Sequence, residues 1–342
     1  MKLSVVRFDF HLNKAFDEML QSQTKFDLKI CAQKDPDSVN LKAFLQAHVY
    51  QINAARDEVP RQWHVNDALL DQCPNLICIS TSGAGYDTVD VDACNRRGFL
   101  VVNQSGCNSD SVCEHTFGLI LSLKHRIAES DKVLRAGTST VRENLMGSEI
   151  KGLKLGIVGL GNVGRRVALV AKAFGMSVIA YDPHINAIEF ERRHATPCSL
   201  KELLALSDIV TVHCPRNSET LNMFNEATFA EMKTDAIFIS TARGGIHDEI
   251  ALLNALTTKK LGGAGLDVWA VEPPSKDNAL LQMPNVIATY HTAGVTHEAR
   301  RNAATMAAEQ IISIVNGELA PRMVNPQVLP EFKRKLKLLN LS

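Results

Sequence analysis

Short runs of apolar, β-favouring residues recur along this chain, each followed by a longer stretch whose apolar positions repeat with helical spacing. In the first hundred residues the strand-like runs are 3–8, 28–31, 49–53, 76–80 and 100–103. Helical spacing covers 12–20, 39–47 and 90–97, the last closed by Gly98 as a C-terminal cap. From 109 to 136 the pattern predicts one long helix, with Val112, Thr116, Leu119, Ile120 and Leu123 along an apolar face. Glycines at 137 and 147, with hydroxyls between them, mark an exposed connection. A second series of strands then begins: 155–158, 178–181, 209–213, 236–240, 264–268 and 286–290. A final helix is predicted over 296–315, where Ala304, Ala307, Ala308, Ile311, Ile312 and Val315 share a face, stopped at Gly317. The tail, 332–342, is basic and reads as peripheral. Alternating strands and helices argue for an α/β protein with mostly parallel sheets, and 342 residues in two strand series argue for two domains.

Composition narrows the class without choosing a chemistry. Hydrophobic residues make up 45% and charged residues 22%, as in a globular protein. Thirty-seven basic residues balance thirty-seven acidic ones, which argues against a nucleic-acid or membrane-surface partner. Lys2, Arg7 and Asp9 interrupt the N-terminal apolar stretch, so no signal peptide is expected, and no run is long enough to span a membrane. The eight cysteines contain no C-x-x-C pair, and several lie in apolar runs, as Cys78 does. They read as reduced thiols of a cytoplasmic protein, with no metal site.

The run 155–158 leads directly into Gly159-Leu160-Gly161-Asn162-Val163-Gly164 and then a helical stretch, which is the context a dinucleotide fingerprint needs. Gly159 suits the tight turn, Gly161 lets the backbone approach a pyrophosphate, and Gly164 lets the helix pack on the strand. The helix N-terminus then presents its free N–H groups to the phosphates. Asp182 ends the next strand, 18 residues past Gly164, where a carboxylate accepts from ribose hydroxyls. It would repel a 2′-phosphate, and residues 183–186 offer no arginine to attract one, so NAD is expected rather than NADP.

Beyond the fingerprint, six separated motifs agree in order and spacing with one family. Ser80 to Asp90 (STSGAGYDTVD), Glu114-His115-Thr116, His213-Cys214-Pro215, Thr241-Ala242-Arg243-Gly244-Gly245, Gly265-Leu266-Asp267-Val268 with Glu272-Pro273-Pro274, and His291-Thr292-Ala293-Gly294 resemble the D-isomer-specific 2-hydroxyacid dehydrogenases. The likeness spans about residues 50 to 325 of the sequence. It implies two Rossmann-like, doubly wound parallel-sheet domains, the cofactor domain inserted into a split substrate domain. The substrate domain would comprise 1–103 and 295–342, and the NAD-binding domain 104–294.

The resemblance also implies the residues that carry chemistry. Arg243, just past a strand end, would grip the substrate carboxylate and polarise its carbonyl. His291 would exchange a proton with the substrate oxygen, and Glu272 would stabilise the imidazolium and raise its pKa. The cofactor set implied is Gly159, Gly161, Asn162, Val163, Gly164, Asp182, His213, Cys214, Pro215, Thr220, Thr241, Ala242, Asp267, His291 and Ala293, with Asp267 anchoring the nicotinamide carboxamide. Ser82, Gly83, Ala84 and Gly85 resemble the loop whose N–H groups hold the substrate carboxylate, together with Arg243. Arg56 aligns loosely with an arginine aimed at a distal anion and reads better as a surface residue. Ser105, Ser240 and Tyr290 stand where the family commonly has Pro, Asn and Pro.

The expected activity is reversible hydride transfer between NAD(H) and a small 2-oxo or 2-hydroxy acid, of the hydroxypyruvate/glyoxylate or 3-phosphoglycerate type. The family resemblance also implies a homodimer joined through the helix at 109–136. An alternative on the same fold is an NAD-sensing interaction protein, like co-repressors of the C-terminal-binding type. Those add extended disordered tails, whereas this sequence stops about 25 residues after Gly317. The missing long C-terminal segment would also point away from the larger, feedback-controlled phosphoglycerate dehydrogenases. Formate or phosphite oxidation is a third reading, and Glu272 argues for carbonyl reduction instead, because formate dehydrogenases resemble this family but pair the catalytic His with Gln.

Overall fold

In the computed structural model, residues 2–10 and 12–339 are described, apart from the Asp57 side chain. The chain divides into two compact units: Met1–Asn108 with Thr296–Ser342, and Ser109–Val295. The second unit is therefore an insertion within the first.

The first unit carries five parallel strands, β1 (Leu3–Phe8), β2 (Phe26–Cys31), β3 (Val49–Ile52), β4 (Cys78–Thr81) and β5 (Leu100–Val102), in the order β2-β1-β3-β4-β5. Helices α1 (Ala15–Gln21), α2 (Asp37–Phe44), α3 (Asp67–Leu70) and α4 (Val91–Arg97) connect them. Strand β1 is buried at every position, as a central parallel strand covered on both faces should be. On one face Phe8, Phe44, Tyr50 and Trp63 form an aromatic cluster with centroids 4.8–5.7 Å apart.

The second unit carries seven parallel strands, β6 (Lys154–Val158), β7 (Ser177–Tyr181), β8 (Thr196–Pro197), β9 (Ile209–Val212), β10 (Ala236–Ser240), β11 (Leu261–Leu266) and β12 (Val286–Ala288). Their order, β12-β11-β10-β9-β6-β7-β8, reverses direction between β6 and β9. At such a switch point the carboxyl ends of two strands open a crevice, the usual ligand position in a doubly wound sheet. Helix α5 (Ser109–Lys124) lies close on the sheet: a side chain at Gly265 of β11 would come within 3.0 Å of Leu119. Helix α6 (Ile127–Arg135) follows it.

The single helix predicted over 109–136 is thus two. Arg126 takes the left-handed conformation (φ 54°) and breaks the helical path. Its guanidinium pairs with Glu129 at 2.6 and 2.7 Å and donates to the Asn144 carbonyl. The chain then returns so that Ser148 N–H donates 2.7 Å to the Lys124 carbonyl, capping α5. Strand β12 also stops two residues before its expected end, because Thr289 and Tyr290 enter the turn that carries His291.

Five further helices complete the second unit: α7 (Asn162–Ala173), α8 (Ala187–Arg192), α9 (Leu200–Leu206), α10 (Glu226–Glu231) and α11 (Glu249–Thr257). Helix α12 (His297–Val315) then returns to the first unit. Its Ala304, Ala307, Ala308 and Ile311 pack against Leu3, Val5, Phe16 and Leu20. The tail is not peripheral: α13 (Leu329–Leu338) buries Phe332 in the same core and sets Lys335 Nζ 4.2 Å from the Phe99 ring centroid. Residues 340–342 of that expectation lie outside the described residues. No helix among the described residues is long and apolar enough to cross a membrane.

Candidate active site

The glycine turn sits at the switch point. Gly159 follows β6 with φ +89°, and a Cβ there would come within 2.6 Å of the Cys214 nitrogen, which follows β9. Only glycine satisfies both the backbone angle and that close approach. A Cβ on Gly164 would come within 2.1 Å of the Gly159 carbonyl oxygen, so this glycine sets the packing of α7 on the turn. At Gly161 the same test meets nothing within 4 Å, leaving open space at the N-terminus of α7. Asn162 and Val163, both half-buried, start that helix. Asp182 is fixed by the Leu160 N–H at 2.9 Å and the His184 N–H at 3.1 Å. A carboxylate is therefore held beside the turn, where ribose hydroxyls would lie.

The other expected cofactor residues divide. His213 and Thr241 meet through Nδ1 and Oγ1 at 3.4 Å, while His213 Nε2 is buried without a partner. Burial pushes the imidazole down to about 3, so it is neutral at ordinary pH. Cys214 is half-buried and Pro215 exposed beside the glycine turn, and burial lifts the Cys214 thiol to about 11. Ala242 and Ala293 are buried. The Thr220 hydroxyl instead donates to the Pro215 carbonyl at 2.6 Å and accepts from the Asn217 N–H, closing the 215–220 loop. An open cradle, an orphaned imidazole nitrogen and a fixed carboxylate fit a dinucleotide.

Three loops of the second unit converge around His291. After β10, a Cβ on Gly244 would lie 1.7 Å from the Trp269 carbonyl oxygen, so Thr241–Gly245 can only lie flat on the Trp269–Glu272 loop. That packing sets Arg243 beside Glu272. The Arg243 guanidinium donates 2.7 Å to the Ala242 carbonyl, and its charge lowers the pKa of both Glu272 and His291. Glu272 accepts from the Trp269 N–H at 3.0 Å on one oxygen and meets His291 Nδ1 at 2.7 Å on the other. Burial alone would raise the Glu272 carboxyl. The His291 bond, the Trp269 N–H and the neighbouring positive charges more than offset it and hold the pKa below the usual range. The Glu272 hydrogen bond raises the His291 pKa above its ordinary value, against burial and Arg243. Both side chains keep about a third of their surface, 36% and 29%, so the ring is reachable.

Asp267 explains how His291 is presented. It is wholly buried, accepting from Thr289 Oγ1 at 2.6 Å, Thr292 N–H at 2.8 Å and Ala293 N–H at 2.9 Å. Through those bonds it holds the turn that carries His291. Trp269 Nε1 donates to the Thr289 carbonyl, and His115 Nε2 reaches Thr289 Oγ1 at 3.0 Å. Sequence reasoning gave no role to His115, Trp269 or Thr289. The signal was the Glu114-His115-Thr116 motif, quoted without a reason for its histidine.

In the first unit, Ser82–Gly85 follow β4. Ser82 Oγ donates to Asn53 Oδ1 at 3.2 Å, and Asn103 Nδ2 donates to the Ala84 carbonyl at 2.8 Å. The Ala84 N–H faces the Cys107 sulfur, while those of Gly83 and Gly85 have no acceptor among the described residues. The expected nest of N–H donors is therefore partial. Arg56 is exposed and donates to the Asp87 carbonyl.

Two parallel doubly wound sheets, a glycine turn at a switch point and a His–Glu pair beside an arginine define a dinucleotide-binding class of protein with an acid–base pair. Residues 117–293 match the D-isomer specific 2-hydroxyacid dehydrogenase NAD binding domain. The chain is 37% identical over 286 residues to the D-3-phosphoglycerate dehydrogenase of Archaeoglobus fulgidus, covering 83% of this chain and 54% of that one. It is 38% identical over 267 residues to glyoxylate/hydroxypyruvate reductase B of Klebsiella pneumoniae, covering 77% and 83%. The fold matches the D-lactate dehydrogenase of Aquifex aeolicus complexed with NAD and lactic acid, with TM-score 0.80, 28% identity and coverage of 94% and 98%. The chain belongs to the D-isomer-specific 2-hydroxyacid dehydrogenase family, and its cofactor is NAD. It spans about half the length of the D-3-phosphoglycerate dehydrogenases it matches.

Proposed function

We propose that this protein interconverts a small 2-oxo acid and its D-2-hydroxy acid, with Arg243, Glu272 and His291 as the reacting set. The carrying observation is the 2.7 Å His291–Glu272 bond, with Arg243 close enough to act on both charges. When bound, NADH supplies the hydride that carbon 2 of the oxo acid receives. Arg243 binds the substrate carboxylate and draws electron density towards the carbonyl oxygen. His291, kept protonated by Glu272, gives its Nε2 proton to that oxygen as negative charge develops; in the other direction the neutral ring takes the hydroxyl proton. Gly159, Gly161 and Gly164 with the α7 N-terminus would hold the pyrophosphate, Asp182 the ribose, and His213, Thr241 and Ala293 the nicotinamide end.

In this reading the Ser109–Val295 unit is the cofactor domain and the discontinuous unit the substrate domain. The compact units support crossings at 108–109 and 295–296. Hydroxypyruvate, glyoxylate and 3-phosphohydroxypyruvate are the substrates to try, because relatives carry both kinds of name. Eight free thiols, six of them buried, support a reducing, cytoplasmic setting. A homodimer is supported by α6, which buries no residue within this chain and leaves Ile127 and Leu134 exposed.

The test is NADH consumption with those three acids. Steady turnover with at least one, falling by about 10²–10⁴ in His291→Gln with NADH binding intact, is the expected result. No turnover with any 2-oxo acid would defeat the proposal and favour an NAD-sensing role.

A further inference from the structure

A cavity of about 380 Å³ opens within the first unit, built without any residue of the second. Its polar side is Arg322, Asn103, Ser105 and Tyr86, and its apolar side is Pro321, Met323 and Val324. The wall is rigid. Met323 bridges Val102 antiparallel, Val324 N–H donates 2.8 Å to the Val101 carbonyl, and the Asn103 N–H donates to the Arg322 carbonyl at 3.2 Å. The Arg322 N–H in turn donates 3.0 Å to Gln310 Oε1.

The backbone of Arg322 is thus fully engaged, but its guanidinium is not. Nε is buried with no hydrogen-bond partner, and the side chain makes no ion pair among the described residues. Burial works against its charge, eased by the more distant Glu309. A half-buried cation with unused donors is costly unless an anion completes it, and a guanidinium presents its N–H groups in the fork that matches carboxylate or phosphate oxygens. The space falls within the range of small-molecule pockets, and the apolar wall gives a short carbon frame something to lie against.

We propose that this cavity binds a small organic oxyanion, a carboxylate or phosphate monoester on a short carbon frame, through the Arg322 guanidinium. Ser105 and Tyr86 add hydroxyl groups to its rim. The Asn103 amide lines the cavity and also holds the Ala84 carbonyl, so an occupant would touch a residue that shapes the 82–85 loop.

The experiment is calorimetric titration of the full, cofactor-free chain with malonate and with glycerol 3-phosphate, as carboxylate and phosphate-ester probes. It is run on wild type, Arg243→Ala and Arg322→Gln, following the Arg322 Nε–Hε resonance by NMR. At least one probe should bind wild type and Arg243→Ala alike and shift that resonance. Binding should weaken by at least about tenfold in Arg322→Gln, with partial recovery in Arg322→Lys. Because the guanidinium bonds to nothing among the described residues, Arg322→Gln should keep the wild-type melting temperature. Which probe binds separates the carboxylate from the phosphate source. Failure of both probes at millimolar concentration, or equal binding by Arg322→Gln, overturns the proposal.

Discussion

His291 stands at φ 50°, in the left-handed region where a non-glycine residue costs on the order of 1–2 kcal/mol. Asp267 sustains that conformation by taking the two N–H groups that follow, and Glu272 takes the ring. The pair has opposite linkage signs. The raised His291 pKa gives stability that is complete below the ordinary imidazole range and disappears as pH climbs through the folded value. The lowered Glu272 pKa gives stability that is complete above the ordinary carboxylate range and disappears as pH falls through the folded value. The pair therefore helps most between those limits. Reduction, which needs the imidazolium, should lose kcat/KM as pH rises through the elevated His291 pKa. In Glu272→Gln that midpoint should move to lower pH; an unmoved midpoint in the pH profile would remove Glu272 from its role. The types of these residues were legible in the sequence, but their pairing was not, because a separation of 19 residues says nothing about where two loops meet. For Asp267 the resemblance implied an anchor for the carboxamide, but which N–H groups reach its carboxylate is visible only in the folded turn.

Among elements, the loop after β10 does the most to gather the site. Gly244 lets the Arg243 turn lie against Trp269, and Gly245 (φ +83°) turns the chain away. Gly244→Ala places a methyl group on a carbonyl oxygen. It should destabilise the protein by about 1–3 kcal/mol or more and displace Arg243. A lowered Tm together with a raised KM for the 2-oxo acid would show this, and a wild-type KM would contradict it. Strands read well from sequence because parallel strands buried on both faces are simple apolar runs, as in β1, β6 and β10. The break at Arg126 did not, because apolar spacing continues through it and its causes, a left-handed residue and a cap supplied by Ser148, lie outside any local pattern. The α13 tail misled for a related reason: its basic residues surround Phe332, whose burial depends on a core built from the other end of the chain.

At the scale of the whole molecule, α6 presents an apolar face that stays exposed among the described residues. Leu134 is 80% exposed and Ile127 55%, in a helix that buries none of its residues. If two copies join there, Leu134→Asp should shift sedimentation from dimer towards monomer while each subunit keeps its circular dichroism. A monomeric wild type would refute that assembly. The family and both sheets could be read from motif order, whereas a dimer through 109–136 came only as an implication of the resemblance, since no residue there carries a chemical signature.

The insertion of one unit into the other also orders events during synthesis. Residues 109–295 are contiguous and leave the ribosome with every strand of their sheet, whereas the first five strands must wait for Ala304, Ala307, Ala308 and Ile311, which are translated more than two hundred residues after the fifth strand ends. Until α12 arrives, Leu3, Val5, Phe16 and Leu20 lack part of their cover and invite chaperones or premature association. An isolated 109–295 fragment should unfold cooperatively, and an isolated 1–108 fragment should bind a hydrophobic dye and aggregate. A well-folded 1–108 fragment would mean that the returning helix is dispensable to its sheet.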